Sequence, residues 1–335
     1  MKKLFLLFLT TLVIFVNTSF TEPPASKHFT IKQLSPGVWA AINNDNYGHA
    51  ICNAGIIDLG DQTIIFDPFM NLDAAKDLKA VAKQLTKREA STIINSHYHN
   101  DHIRGNQAFL PARIISTQWT RNKIAISEPE EVEWEKKNVA KLAADHKKQL
   151  VTANVKEKEE LTLWIGYYEG IAANLPLYKI ILPNVTFTDS LWIHGIARSL
   201  QLVELKDGHT ASDLILVLPK EGIVFMGDLL FEKRHPYLAH GKPGSWSKHL
   251  QNLYENTTLQ KYVPGHGEVC DRAYLKTMNQ YILDLQSMVS KNVDEQKPDS
   301  LTTRLPAPIA YADWKFGRFL RPNLNFLIKE YRKNK

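Results

Sequence analysis

The 335 residues point to an α/β layered fold with a helical insert. β-rich runs and an amphipathic helix alternate between residues 28 and 95, and strands resume after Pro176. Such alternation builds sheets covered by helices. The stretch between, about 122–178, carries helical signals only. Hydrophobic residues make up 44% of the chain, enough for a sizeable core, which excludes a wholly disordered polymer. Only two cysteines are present, which excludes a disulfide-stapled miniprotein.

The chain begins with a basic pair, Lys2-Lys3, then an apolar run at 4–16 and a polar stretch at 17–19. That pattern is a secretory signal peptide, assigned to residues 1–20. The run is shorter than the ~20 apolar residues of a bilayer-spanning helix. The expectation is an exported protein, periplasmic or secreted, whose mature chain has no transmembrane span. In an oxidising compartment Cys52 and Cys270 either pair or persist as buried thiols.

Residues 29–34 alternate as a strand, 37–42 follow a Ser-Pro-Gly turn, and 43–48 have a hairpin-loop composition. Residues 51–59 and 63–66 read as the next strands, 72–85 as a helix and 91–95 as a buried strand. Ser127-Glu128-Pro129-Glu130 has the spacing of a capping box, so a helix is expected to start there. A second helix is expected over 155–174, carrying Trp164, Tyr167 and Tyr168. Strands follow at 185–187, 191–193, 200–205, 214–218 and 223–226. A helix over 271–291 places Leu275, Met278, Ile282, Leu285 and Val289 on one face. Pro298, Pro306 and Pro308 mark 293–335 as a linker and a basic C-terminal segment. The formal charge is +6, and residues 311–335 hold seven basic side chains against Asp313 and Glu330. A basic segment of this kind either docks on an anionic membrane surface or nucleic acid or, more commonly, is the solvated face of a terminal helix; the latter is expected here, with no nucleic-acid partner.

The sharpest signal is Ser96-His97-Tyr98-His99-Asn100-Asp101-His102, directly after the 91–95 strand. His97 and His99 are two apart, so their rings share a side while the chain is extended. Asp101 and His102 complete a set of imidazoles and a carboxylate suited to a zinc-type ion. Gly208-His209-Thr210 and Gly227-Asp228 each put one ligand-type side chain at a strand exit. Val263-Pro264-Gly265-His266-Gly267 sets a histidine between glycines, in the kind of edge loop where binding residues sit.

Taken in order, these motifs resemble the metallo-β-lactamase superfamily of metallo-hydrolases, over a domain of residues 28–292. The resemblance implies a four-layer αβ/βα sandwich with a two-metal site along one edge. It implies that His97, His99 and His209 hold one zinc, Asp101, His102 and His266 the other, and that Asp228 bridges both. Two zinc ions per chain are expected, with iron or manganese as alternatives. Asp67, ending the 63–66 strand, matches the family aspartate that supports the site by hydrogen bonding; an ordinary strand-end turn residue is the other reading. The implied catalytic carboxylates are Asp101 and Asp228, with Asp101 orienting the nucleophile or taking a proton. The implied reaction is attack by metal-activated water on an ester, thioester, lactone or amide-type small molecule. No G-x-S-x-G motif offers a serine nucleophile.

Residues 208–238 are similar to exported members of quinoprotein-relay or sulfur-oxidation-associated type, more than to dedicated β-lactamases. Some zinc β-lactamases have cysteine at the Asp228 position and, three residues on, a lysine that grips the drug's carboxylate; here Phe231 stands there. Others have serine at the Asp228 position. Weak β-lactam hydrolysis is therefore expected. Three alternatives stay open: a β-lactamase, an iron-dependent enzyme like the persulfide dioxygenases, and a non-catalytic metal-binding accessory protein. Arg234, His235, Tyr237 and His240 either flank the substrate or form a surface loop. Trp164, with Tyr167 and Tyr168, either walls the pocket or packs the insert onto the body, and the 43–48 loop is a candidate flap. The expected partner is a small-molecule substrate, and no oligomeric state follows.

Overall fold

The computed structural model describes residues 26–335, so the signal peptide expected at 1–20 lies outside the described residues. Strands β1 (Phe29–Ser35), β2 (Val38–Asn43), β3 (Ala54–Asp58) and β4 (Thr63–Phe66) form an antiparallel meander. Helix α1 (Leu72–Thr86) carries the chain back, so that β5 (Ala90–Ile94) lies parallel to β4. The short α2 (Asn100–Ile103) leads to β6 (Arg113–Thr117), then to a hairpin of two long helices, α3 (Gln118–Leu150) and α4 (Val155–Asn174). Strand β7 (Val185–Phe187) closes a seven-stranded sheet in sequence order.

The second sheet holds six strands, beginning with β8 (Ser190–His194), β9 (Ser199–Lys206), β10 (Ser212–Leu218) and β11 (Ile223–Phe225). Helix α5 (Pro243–Glu255) intervenes before β12 (Lys261–Val263) and β13 (Cys270–Asp271). The chain ends with α6 (Tyr274–Asp294), the short α7 (Asp299–Thr302) and α8 (Leu320–Lys333). Among the described residues no helix is long and apolar enough to cross a membrane.

Burial shows the layering. Val38, Ile57, Ile64 and Phe66 of the first sheet meet Leu202, Leu214, Leu216 and Phe225 of the second in one core. The first sheet's other face packs Ile56, Ile65 and Ile93 on Ala75, Leu78 and Val81 of α1. The second sheet's other face packs Ile215, Val217 and Val224 with Trp246 of α5 and Met278 and Ile282 of α6. Helix, sheet, sheet and helix give the expected αβ/βα sandwich.

Two regions depart from the sequence reading. The helix expected to start at Ser127 starts nine residues earlier, at Gln118, and passes through Pro129. Thr117 is the cap, its Oγ1 accepting from the Thr120 amide at 3.1 Å. Ser127 instead donates to the Lys123 carbonyl inside the helix. Tertiary bonds offset the proline, which costs a helix interior about 3 kcal/mol. Buried Arg104 reaches Glu128 at 3.1 Å and Glu135 at 2.7 Å, on both sides of it.

The segment read as linker and solvated tail packs into the body. Tyr311, Trp314, Phe316, Leu324, Leu327 and Ile328 are buried there, and Trp314 stacks on Tyr281 at 4.9 Å. Its basic groups are partly paired, with Lys315 on Asp45 and Arg332 on Asp299. Finally, Cys52 and Cys270 are free: Cys52 donates to the Asp101 carbonyl and Cys270 to that of Tyr262. Burial pushes the Cys52 thiol up to about 12, so it stays protonated.

Candidate metal centre

All the ligand-type side chains leave strand ends on one edge of the sandwich. The peptide just past β5 carries Ser96 to His102; its Ser96 carbonyl accepts from the Leu214 amide at the start of β10, locking the two sheets together there. Asp67 sits at the exit of β4 in the left-handed region, φ 53°. One of its oxygens accepts from the Ser96 amide at 2.8 Å and the other contacts His102 Nδ1 at 2.8 Å. Asp67 therefore holds both the backbone of the motif and the orientation of one ring.

Two donor sets result. In the first, His99 Nδ1 lies 2.9 Å from His97 Nε2 and 3.1 Å from His209 Nε2, and Asp228 Oδ2 is 3.4 Å from His209 Nε2. In the second, Asp101 Oδ2 is 3.3 Å from both His102 Nε2 and His266 Nε2. Asp228 Oδ1 is 3.1 Å from His102 Nε2 and 3.3 Å from His266 Nε2. Asp228 thus offers one oxygen to each set. Apart from Asp101 and His99, all of these side chains are buried.

The glycines make room. A Cβ on Gly265 would fall on Asp228 Oδ1, and Gly227, at φ 50°, would drive one into Ser96. His266 Nδ1 bonds to the Ile51 carbonyl at 2.9 Å, which aims its Nε2 at Asp228. Asp213 receives the Thr210 amide and hydroxyl and so pins the turn that presents His209.

The electrostatics call for a cation. Burial holds His97 and His99 well below the usual imidazole value and His209 at about 4, so these rings are neutral ligand-type donors. Burial also works against charge on His102 and His266, but the facing carboxylates prevail. Asp101, Asp228 and Asp67 raise His102 well above its usual value, and Asp228 with Asp101 brings His266 to about 9. Those protons stand where a metal's charge would. His102 Nε2 and Asp228 Oδ1 are buried and close, yet neither makes an aligned hydrogen bond. Atoms aimed at a common point rather than at each other are what a shared ion requires. The residues fit a two-metal site, with donors suited to zinc.

Above the donors opens a cavity of about 650 Å³. Its walls include Ile51, Tyr98, Trp164, Tyr167, Phe231, Tyr237 and His240. Of the proposed flanking residues, Trp164, Tyr237 and His240 therefore line the cavity. Arg234 and His235 do not. Arg234 turns back to Asp45 at 2.7 Å, and His235 is buried against Tyr281 at 2.9 Å. The 43–48 loop is clamped rather than free to flap: Gly48 lies against the backbone of Leu163 and Tyr167 in α4. The sequence reading missed Lys123, Glu130, Glu131 and Trp134 of α3, which also line the cavity. With Ser127, which lines the cavity too, they recur at three- and four-residue steps, a helical stripe that was there to be read. It also missed Phe316 and Phe319, for which no local signal exists.

The family model described as "Metallo-beta-lactamase superfamily" matches residues 47–266, about two thirds of the sequence. The chain belongs to this superfamily. Solved metallo-β-lactamases share the superfamily fold with it at low identity. One from Pontibacter korlensis is 17% identical with a TM-score of 0.54, over 76% of this chain and 99% of that one. The FIM-1 metallo-β-lactamase of Pseudomonas aeruginosa, in a mono-zinc form, is 16% identical at 0.55, over 78% and 98%. One from Hirschia baltica is 17% identical at 0.53, over 76% and 98%. A comparison with curated proteins returned no match. Residues 267–335, including Phe316 and Phe319, lie beyond the superfamily match.

Proposed function

We propose that the protein is an exported, zinc-dependent hydrolase acting on an ester, thioester, lactone or amide-type small molecule. One observation carries the reading: two donor sets share the two oxygens of Asp228 beneath a single open cavity. When bound, a pair of zinc ions activates water as a nucleophile and polarises the carbonyl it attacks. His97, His99 and His209 would hold one ion, Asp101, His102 and His266 the other, with Asp228 between them. The rest of the work belongs to the chain itself. Asp67 keeps His102 turned with Nε2 toward the centre, and the Ile51 carbonyl does the same for His266. Asp101, the partly exposed carboxylate of the set, faces the cavity and is placed to orient the attacking water and take its proton. Export rests on the Lys2-Lys3 start and the apolar run that follows it.

The test is metal content together with turnover on a panel of esters, thioesters, lactones and β-lactams. About two zinc ions per chain, with hydrolysis lost on chelation and restored by zinc, is the expected result. One iron with oxygen uptake would replace this reading with redox chemistry, and metal binding without turnover would leave an accessory protein.

A further inference from the structure

One wall of the cavity is unused by the metal chemistry. The ring of His266 meets Phe316 edge-on at 5.3 Å. Phe316 meets Trp164 at 5.3 Å and Phe319 at 5.8 Å. Phe319 meets Tyr237 at 5.5 Å, Tyr237 meets His240 at 4.9 Å, and His240 returns to His99 at 5.1 Å. An unbroken run of rings thus joins a histidine of one donor set to a histidine of the other. Phe231 lies flat on His266 at 5.0 Å as part of the floor. Trp134 of α3 also lines the cavity and is 53% exposed. An indole face left to water beside an apolar wall gains from being covered.

The wall is held at some cost. Phe316 takes a left-handed backbone, φ 62°, which disfavours any side chain but glycine. Its amide donates to Glu160 Oε2 of α4 at 2.9 Å, and the neighbouring Lys315 amide donates to the Lys233 carbonyl. The C-terminal segment and the helical insert are therefore tied together at the point where the ring enters the cavity. The charged groups that line the cavity outside the donor sets, Lys123, Glu130 and Glu131, all lie on α3; Glu130 is exposed, and the other two are engaged. Lys123 sits over the Tyr98 ring at 5.3 Å, and Glu131 accepts from Asn100 at 2.7 Å.

We propose that Trp134, Trp164, Phe316 and Phe319 form a subsite for an uncharged apolar group, of aryl or medium acyl-chain size, on the substrate. The inference rests on the hydrolase reading and names its substrate class. The four side chains select and position the substrate; they take no part in bond breaking.

The test uses the zinc-loaded full mature chain and p-nitrophenyl esters from acetyl to octanoyl, with an ω-carboxylated hexanoyl ester as the charged counterpart. Each buried methylene is worth about fourfold in kcat/KM. The expected result is a rise of at least about thirtyfold from acetyl to hexanoyl, and a loss of at least about tenfold on adding the ω-carboxylate. Trp134→Ala and Phe319→Ala should lower the hexanoyl-to-acetyl ratio, with Phe319→Leu retaining most of it and showing that the fold survives. A second readout is independent of turnover: fluorescence titration with the neutral probe N-phenyl-1-naphthylamine, whose binding the two alanine variants should weaken. Esters turned over with a flat chain-length profile would overturn the subsite while leaving the hydrolase reading intact. Probe binding indifferent to both alanine variants would overturn it as well. Probe binding that those variants weaken, in a protein that hydrolyses no ester, would support the apolar subsite and rule out the ester branch of the hydrolase reading.

Discussion

Asp228 is the residue on which both donor sets depend, since each of its oxygens faces a different set. Asp228→Asn should bring zinc content below about one ion per chain by elemental analysis, whereas His97→Ala should remove one ion and leave the other. Full occupancy in both variants would break the assignment. Phe231 makes a different prediction. A charge-assisted bond to a substrate carboxylate is worth about 1.5–3 kcal/mol, up to about a hundredfold in rate. Phenylalanine cannot supply it, and the neighbouring cations do not replace it. Arg234 is committed to Asp45, and Lys233 is 73% exposed and absent from the cavity wall. Penicillins, cephalosporins and carbapenems should be poor substrates, and a kcat/KM near ~10⁶ M⁻¹s⁻¹ on any of them would contradict this. His235, read from the sequence as either flanking the substrate or part of a surface loop, instead bears on acid stability. Burial, with a smaller push from Lys156, lowers its folded pKa to about 4 from 6.5. Between those values the unfolded chain binds the extra proton. Stability is therefore full above about pH 6.5 and falls as pH drops toward 4, by at most about 3 kcal/mol from this residue. Denaturant melts at pH 7 and 5 should show His235→Gln losing less on acidification than the parent.

At the scale of elements, local signals served well where a helix or strand is decided locally. Helix α4 runs over the expected residues because Asn154 and Glu157 satisfy each other's backbone amides at 3.0 and 2.9 Å. Asn154→Ala should cost about 1 kcal/mol in urea unfolding. Helix α6 was legible from its apolar face, and Leu275, Met278, Ile282, Leu285 and Val289 are all buried. Helix α3 was misread at its start because the deciding contacts are distant. Arg104, over twenty residues upstream, braces the turn around Pro129. The short strand β6 carries too few periodic positions to stand out and was missed; helix α5 was missed although Trp246, Leu250, Leu253 and Tyr254 mark one apolar face. The C-terminal segment was misread for a similar reason. Prolines and basic residues resemble a solvated tail until Tyr281 and Trp164 are brought beside Trp314 and Phe316. Ending the chain at residue 308 should therefore uncover the α6 face and lower the melting temperature sharply, not trim a free tail. An unchanged melting curve would contradict this packing.

For the whole molecule, the order of the motifs was legible because each donor sits at a strand exit marked by a short polar or glycine-containing turn. Seven donors spread from His97 to His266 meet on one edge because the two sheets stack with those exits side by side. What the order of motifs does not contain is the cavity above them. That space is walled by a helical hairpin inserted between β6 and β7 and by a segment beyond the superfamily match, and their meeting is a tertiary event. The most direct test of the account is anomalous diffraction at the zinc edge from crystals of the zinc-loaded mature protein. The account predicts two peaks per chain. One lies within bonding distance of His97, His99 and His209, the other of Asp101, His102 and His266, and the Asp228 carboxylate contacts both. A single peak that leaves either donor set empty, or peaks away from Asp228, would contradict it.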